Sequence, residues 1–134
     1  MAQDEVAAIR RMLAGRRLAV VGLSDEPARP SYGVSAHMQR AGYTILPVNP
    51  NCRLALGQPC YATLAEVPGP IDVVNVFRRP LACAQVVRDA IAVGAKGVWL
   101  QTGIVNDEAK RLAAEAGIDF VQDRCIMVEQ LRQR

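Results

Sequence analysis

A chain of 134 residues has the length of one domain, since domains run to roughly 100–200 residues, and it is long enough to bury roughly two thirds of the surface its unfolded form exposes. Apolar residues at 51% and charged residues at 22% exclude disorder and low complexity. The net charge of +3, with 14 arginines among 16 basic residues, is too small and scattered for nucleic acid, while the arginines favour forked contacts to phosphate or carboxylate.

In chain order, Val6, Ile9 and Leu13 share one stripe of a predicted helix over residues 4–14, with Gly15 at its C′ position. This opening segment is charged and amphipathic, without a signal-peptide core, and no stretch approaches roughly 18 apolar residues. The expectation is a cytoplasmic protein with reduced cysteines and no membrane contact. Residues 18–21, a continuous apolar run ending in Gly22, predict a first strand buried on both faces. A polar loop leads to a helix over 31–41, which Gly42 ends before a second strand over 43–48. Pro47 cannot donate to a sheet ladder and belongs at a strand end or an edge; the C-terminal end is the expected place.

After the turn-rich stretch 48–61, residues 71–77 predict a third strand. A helix opens at Pro80, with Leu81, Ala84, Val87 and Ile91 expected to face the core, and closes at Gly94. Residues 97–100 form a fourth strand, with Trp99 read as core. Asn106 caps a helix carrying Ala109, Leu112, Ala113 and Ala116, Gly117 ends it, and a fifth strand over 119–121 precedes a last helix over 126–132. This alternation predicts one α/β domain over 1–134: a three-layer, doubly wound, Rossmann-like fold around a mainly parallel five-stranded sheet, in the order 3-2-1-4-5. Ligands bind such sheets beyond the carboxyl ends of the strands where the order reverses, here expected beside strands 1 and 4.

The residues that follow each strand are therefore the candidates. The loop after strand 1 carries Gly22, Leu23, Ser24, Asp25 and Arg29, and leads into Ser31, Tyr32 and Gly33. Its glycine permits a tight turn, Ser31 is expected to cap the helix, and free amides at the helix start beside Ser24 and Arg29 suit a phosphate or pyrophosphate; an ordinary polar loop is the alternative. The G-x-G-x-x-G spacing of a nicotinamide site is absent, as is an acid at the end of strand 2, where Val48, Asn49 and Pro50 stand instead. Arg53 lies within reach of a ribose phosphate, or is a solvated loop residue. Phe77, Arg78 and Arg79 end strand 3, and one of the two arginines is expected to face a ligand. Leu100, Gln101, Thr102 and Gly103 follow strand 4 and suit cradling better than acid–base chemistry. The cysteines, Cys52, Cys60, Cys83 and Cys125, form no C-x-x-C pair, and His37 has no second ligand at metal spacing, so no metal is expected and the thiols read as buried small hydrophobes.

The segments VVGLSDEPARPSYGV, VNP, VFRRP, WLQTGI and DRCI, in that order, resemble the small bacterial coenzyme A (CoA)-binding proteins, relatives of the CoA-binding domain of succinyl-CoA synthetase, over residues 17–130. The resemblance implies that Gly22 to Asp25 meet the phosphates, that Arg53 stands roughly where the synthetases have a lysine, that Phe77 to Arg79 line the crevice, and that Leu100 to Gly103 complete it. This chain departs from the synthetases in its phosphate turn, in Thr102 where they have an acid, and in lacking the domain that brings their phosphorylated histidine. The implied function is binding of CoA or an acyl-CoA by a module with no catalytic residues of its own. The alternatives are a nucleotide-dependent oxidoreductase or an acyl-CoA ligase subunit that needs a partner chain, and a regulatory protein acting on an unidentified protein partner or as a homo-oligomer. Cys125, at the start of the last helix, either packs inertly or forms a mixed disulfide with the coenzyme's thiol.

Overall fold

A computed structural model describes residues 3–133. In chain order the elements are α1 (Gln3–Ala14), β1 (Arg17–Val21), α2 (Pro30–Arg40), β2 (Thr44–Val48), β3 (Leu54–Ala55), β4 (Gln58–Pro59), β5 (Val73–Val76), α3 (Cys83–Ala92), β6 (Gly97–Leu100), α4 (Asp107–Ala116), β7 (Asp119–Val121) and α5 (Ile126–Arg132). Single 3-10 turns precede β5 at Leu64–Glu66 and α3 at Pro80–Ala82.

The strands are apolar on both faces because each face is covered. Ala19, Val21, Leu46, Val48, Val74, Val76, Val98 and Leu100 pack with the inner sides of α3 and α4. Their neighbours in the alternation, Leu18, Val20, Ile45, Val73, Trp99 and Val121, pack with α1, α2 and α5. Each fully buried Val, Leu or Ile among them contributes about 1.5–3 kcal/mol through apolar burial. The predicted α/β class, five parallel strands and three layers are therefore present.

The strand order is not the expected one. The sheet runs β2-β1-β5-β6-β7, so the third long strand pairs with the free edge of β1 rather than lying outside β2, and the order in predicted strand numbers is 2-1-3-4-5. Two local features set this. Pro47 stands inside β2, opposite Val20, with its carbonyl turned outward to the Tyr61 amide at 2.9 Å; its missing N–H falls on the outer edge, where no long strand could use it. At the other side of β1, the Asp72 carboxylate accepts from the Arg16 and Arg17 amides, both at 2.9 Å, and the Asp72 amide donates to the Arg17 carbonyl. That clasp registers β5 beside β1, and the order reverses between β1 and β5 instead of between strands 1 and 4.

Three smaller expectations also change. Leu81 is 94% exposed and Ile91 lies at the surface, because the 3-10 turn at Pro80 shifts the phase of α3; Ala84 and Val87 are buried as expected, joined by Cys83, Val86 and Ala90. Ser31 lies one residue inside α2, whose N-cap is Arg29 without a side-chain bond. The stretch 48–61 holds the β3–β4 hairpin, and Tyr61 bridges to Val48 at the sheet edge. Asn106 caps α4 as predicted, accepting from the Ala109 amide at 2.8 Å, and Gly117 ends it in the left-handed conformation.

Candidate functional site

At the carboxyl ends of β1 and β5 the backbone turns sharply at Gly22, with φ +89° and its amide on the Val48 carbonyl at 2.9 Å. A Cβ there would run into the Phe77 carbonyl and come within 3.2 Å of Arg78 Cδ, so only glycine lets the two strand ends approach so closely. Two concavities open from this junction. The larger, of about 510 Å³, is walled by Gly22, Ser24, Glu26, Arg29, Pro30, Ser31, Phe77, Arg78 and Ile104. The smaller, of about 230 Å³, lies toward β2 between Val21, Val48, Pro50, Thr63 and Leu64 on one side and Ala82, Gln85, Val86 and Asp89 on the other, with Arg78 again in its wall.

The loop between β1 and α2 is held by its own hydroxyls. The buried Ser31 Oγ accepts from the Ser24 amide and Ser24 Oγ accepts from the Glu26 amide, each at 3.0 Å. The helix start offers fewer amides than the sequence suggests, because Pro30 has no N–H and the Tyr32 and Gly33 amides both donate to the Arg29 carbonyl. Positive charge comes from two side chains instead. Arg29 pairs with Glu26 at 3.2 Å, both well exposed. Arg78 has no carboxylate within 4 Å among the described residues. Its charge also acts on the buried Cys83 thiol, which desolvation pushes up and Arg78 pulls partly back.

Of the residues proposed from sequence, Gly22, Ser24, Arg29, Ser31, Phe77 and Arg78 line the larger concavity, and Val48, Pro50 and Arg78 line the smaller. Arg79 lines neither; it precedes the 3-10 turn. The arginine that faces the crevice is thus Arg78. Leu23 and Leu100 are fully buried. Asn49 is a strut, its amide nitrogen donating to the Leu23 carbonyl at 3.0 Å and so tying the ends of β1 and β2 together. Gln101 is a second strut: it is buried, and its Oε1 accepts from Asn75 Nδ2 at 3.1 Å and from the Ile126 amide at 3.0 Å. The Gly103 amide is taken by the Asp123 carboxylate at 2.7 Å. Asp25, Tyr32, Gly33, Arg53, Thr102 and Gly103 stand outside both walls.

Several lining residues escaped the strand-end rule. Ala82, Gln85, Val86 and Asp89 form an i, i+3, i+4, i+7 stripe on one helical face, legible as a face but not as a wall. Thr63 and Glu66 make a reciprocal capping box, announced by the T-x-x-E spacing. Trp99 is fully buried, with its Nε1 donating to the Arg124 carbonyl at 2.8 Å. His37, in α2, shares a 2.7 Å hydrogen bond with Gln130 Oε1 and lines neither concavity. Among the described residues no cluster of His, Cys, Asp and Glu could hold a metal ion, and no helix is long and apolar enough to cross a membrane.

Comparisons with known proteins bear on this junction. The profile of a family described as "CoA binding domain" matches residues 16–130. An uncharacterized Bacillus subtilis protein, YneT, is 47% identical over 113 residues, 84% of either chain. A solved structure of a hypothetical protein from Pyrococcus horikoshii superposes with a TM-score of 0.91 at 38% identity, over 98% of this chain and 92% of that one. The alpha subunit of an ADP-forming acetate–CoA ligase from Pyrococcus furiosus is 25% identical over 122 residues, 83% of this chain but 27% of the subunit. The chain thus spans about a quarter of that ligase subunit.

Proposed function

The chain belongs to the CoA binding domain family, and from that premise we propose that it binds CoA or an acyl-CoA across the paired concavities at the β1–β5 junction, as a binding module without catalytic residues of its own. The observation that carries this reading is Arg78, a cation without a carboxylate partner among the described residues, set in the wall shared by a concavity of mixed polarity and a more apolar one. CoA is an elongated ligand with a planar base at one end, a flexible thiol arm at the other and a charged pyrophosphate between them. A guanidinium shared by two adjoining concavities, with Arg29 in the wall of the larger, suits that order of parts.

The residues present fit the group in chemical kind. Val21, Val48, Leu64 and Val86 would sandwich the adenine, with the Thr63 hydroxyl at the rim able to donate to or accept from its edge and the Asp89 carboxylate able to accept from it. Arg78, Arg29 and the Ser24 loop would meet the phosphates, for which a guanidinium fork gives charge-assisted bonds. The pantetheine arm would then run past Phe77 and Ile104. When bound, the coenzyme would supply a thiol for acyl transfer; the protein's part is to bind, orient and shield it.

Binding without turnover is favoured by the surroundings of the junction. Gln101 and Asn49 are spent as struts, and His37 is engaged by Gln130 away from either concavity. The match to one quarter of a ligase subunit supports the second reading, in which a partner chain supplies the reacting groups. Calorimetric titration with CoA, NADH, NADPH and ATP tests the ligand class: CoA is expected to bind most tightly, and equal or tighter NADH binding would overturn the proposal.

A further inference from the structure

The β3–β4 hairpin brings together two thiols that no strand-end argument selects. Cys52 and Cys60 flank it, the Cys60 amide donates to the Arg53 carbonyl at 3.0 Å, and the two Sγ atoms stand 2.7 Å apart with Cys60 donating to Cys52. Both side chains are half-buried, so a small molecule can reach them. We propose that Cys52 and Cys60 form a reversible dithiol–disulfide site that exchanges with low-molecular-weight disulfides. The site rests on the hairpin alone, whatever ligand occupies the crevice.

The proton inventory assigns the roles. Cys60 Sγ donates to Cys52 Sγ, and burial first, then the hydrogen bond and charge of Cys52, push the Cys60 thiol up to about 12, so Cys60 is the poorer nucleophile of the two and Cys52 is the attacking sulfur. The Cys52 thiolate attacks one sulfur of a disulfide RSSR, forming a Cys52–S–S–R bond and releasing RS⁻, which takes up a proton. Cys60 then gives its proton to solvent, and its sulfur attacks the Cys52 sulfur. The second RS⁻ leaves, and the intrachain disulfide closes. Two protein thiols are oxidised and one RSSR is reduced to two RSH. Tyr61, next to Cys60, holds the edge of β2 through bonds to Pro47 and Asn49, and the following Thr63 and Leu64 wall the smaller concavity. Closure therefore tethers that wall to the end of β2.

The test treats the reduced full chain with glutathione disulfide and, in a second arm, with CoA disulfide, then alkylates the remaining thiols and maps them by mass spectrometry. The expected product has a Cys52–Cys60 cross-linked peptide with no retained adduct, reversible by dithiothreitol. Cys60→Ser should stop at an adduct on Cys52, and Cys52→Ser should stop at an adduct on Cys60 that forms about tenfold or more slowly than the Cys52 adduct of Cys60→Ser, because burial, the largest cause of the raised Cys60 thiol, remains when Cys52 is gone. Amide exchange at Asn49 and Tyr61 should slow in the oxidised chain. Full alkylation of both cysteines after treatment, or adducts on Cys83 and Cys125 in their place, would overturn the site, and unchanged amide exchange would overturn the tether. A rate about tenfold higher with CoA disulfide at equal concentration identifies ligand docking as the source of the oxidant, and equal rates assign it to the general small-thiol pool.

Discussion

Replacing Gln101 by leucine separates a strut from a ligand contact. The Gln101 Oε1 accepts from two buried donors, Asn75 Nδ2 at 3.1 Å and the Ile126 amide at 3.0 Å. Leucine keeps most of the volume but accepts nothing. Each donor left without a partner in the interior costs about 1–3 kcal/mol. Asn75 Nδ2 retains a long contact of 3.4 Å to the Trp99 carbonyl, which lowers its share, so the loss is about 2–4 kcal/mol. With an unfolding entropy of about 2.1 cal/mol/K per residue, the melting temperature should fall by about 7–14 °C. Thermal unfolding by circular dichroism reads this directly, and CoA affinity measured well below the transition should stay within about twofold of the parent. The double variant Asn75→Val, Gln101→Leu should lose less than the sum of the two single losses, because one orphaned donor is gone. A melting temperature equal to that of the parent, combined with lost CoA binding, would refute the assignment and return Gln101 to the ligand.

Gly22→Ala should cost about 1–3 kcal/mol for a side chain held at positive φ, plus the clash with the Phe77 carbonyl, and should weaken CoA binding in proportion to the displaced Arg78. Gly33→Ala is the matching control: its Cβ meets nothing within 4 Å in an ordinary helical position, so a gain of about 0.5–1 kcal/mol is expected in chemical denaturation. Burial disfavours the Asp72 charge, but the Arg17 and Arg16 amides and the Lys96 ammonium outweigh it and hold the carboxyl below its ordinary value. A depressed folded value means stability present above the unfolded value of about 3.9 and lost as pH falls through the folded one. Asp72→Asn should therefore destabilise the chain by about 1–3 kcal/mol at pH 7, and denaturation curves of the two proteins should converge as the medium is acidified below pH about 4.

Most of the fold was legible because each signal was local. β-Branched runs ending at Gly22, Asn49 or Gln101 are strands buried on two faces, and Gly42, Gly94 and Gly117 end helices where they were expected to. The order of the strands was not legible from periodicity, which says that a strand is buried but not beside which neighbour. The deciding information was present in Pro47, whose missing donor makes β2 an edge and excludes a strand outside it. The site was legible only in part for a related reason. Residues after strands were sound candidates for backbone position, but whether Asn49 or Gln101 points at a ligand or at a buried amide depends on tertiary packing. The wall contributed by Ala82, Gln85, Val86 and Asp89 lies on a different face from the Leu81, Ala84, Val87 and Ile91 stripe expected as core, and no apolar period marks it. The proximity of Cys52 and Cys60 depends on a hairpin whose two-residue strands carry no periodic signal.

The claim that CoA is held at the β1–β5 junction is tested most directly by calorimetric titration of CoA into the parent, Arg78→Ala and Arg79→Ala. The two arginines are adjacent in sequence, yet only Arg78 lines the crevice. Arg78→Ala should lose about 1.5–3 kcal/mol of affinity, roughly tenfold to a hundredfold, as expected for a charge-assisted phosphate contact, while Arg79→Ala should bind within about twofold of the parent. No binding heat from the parent, or equal losses in the two variants, would contradict it.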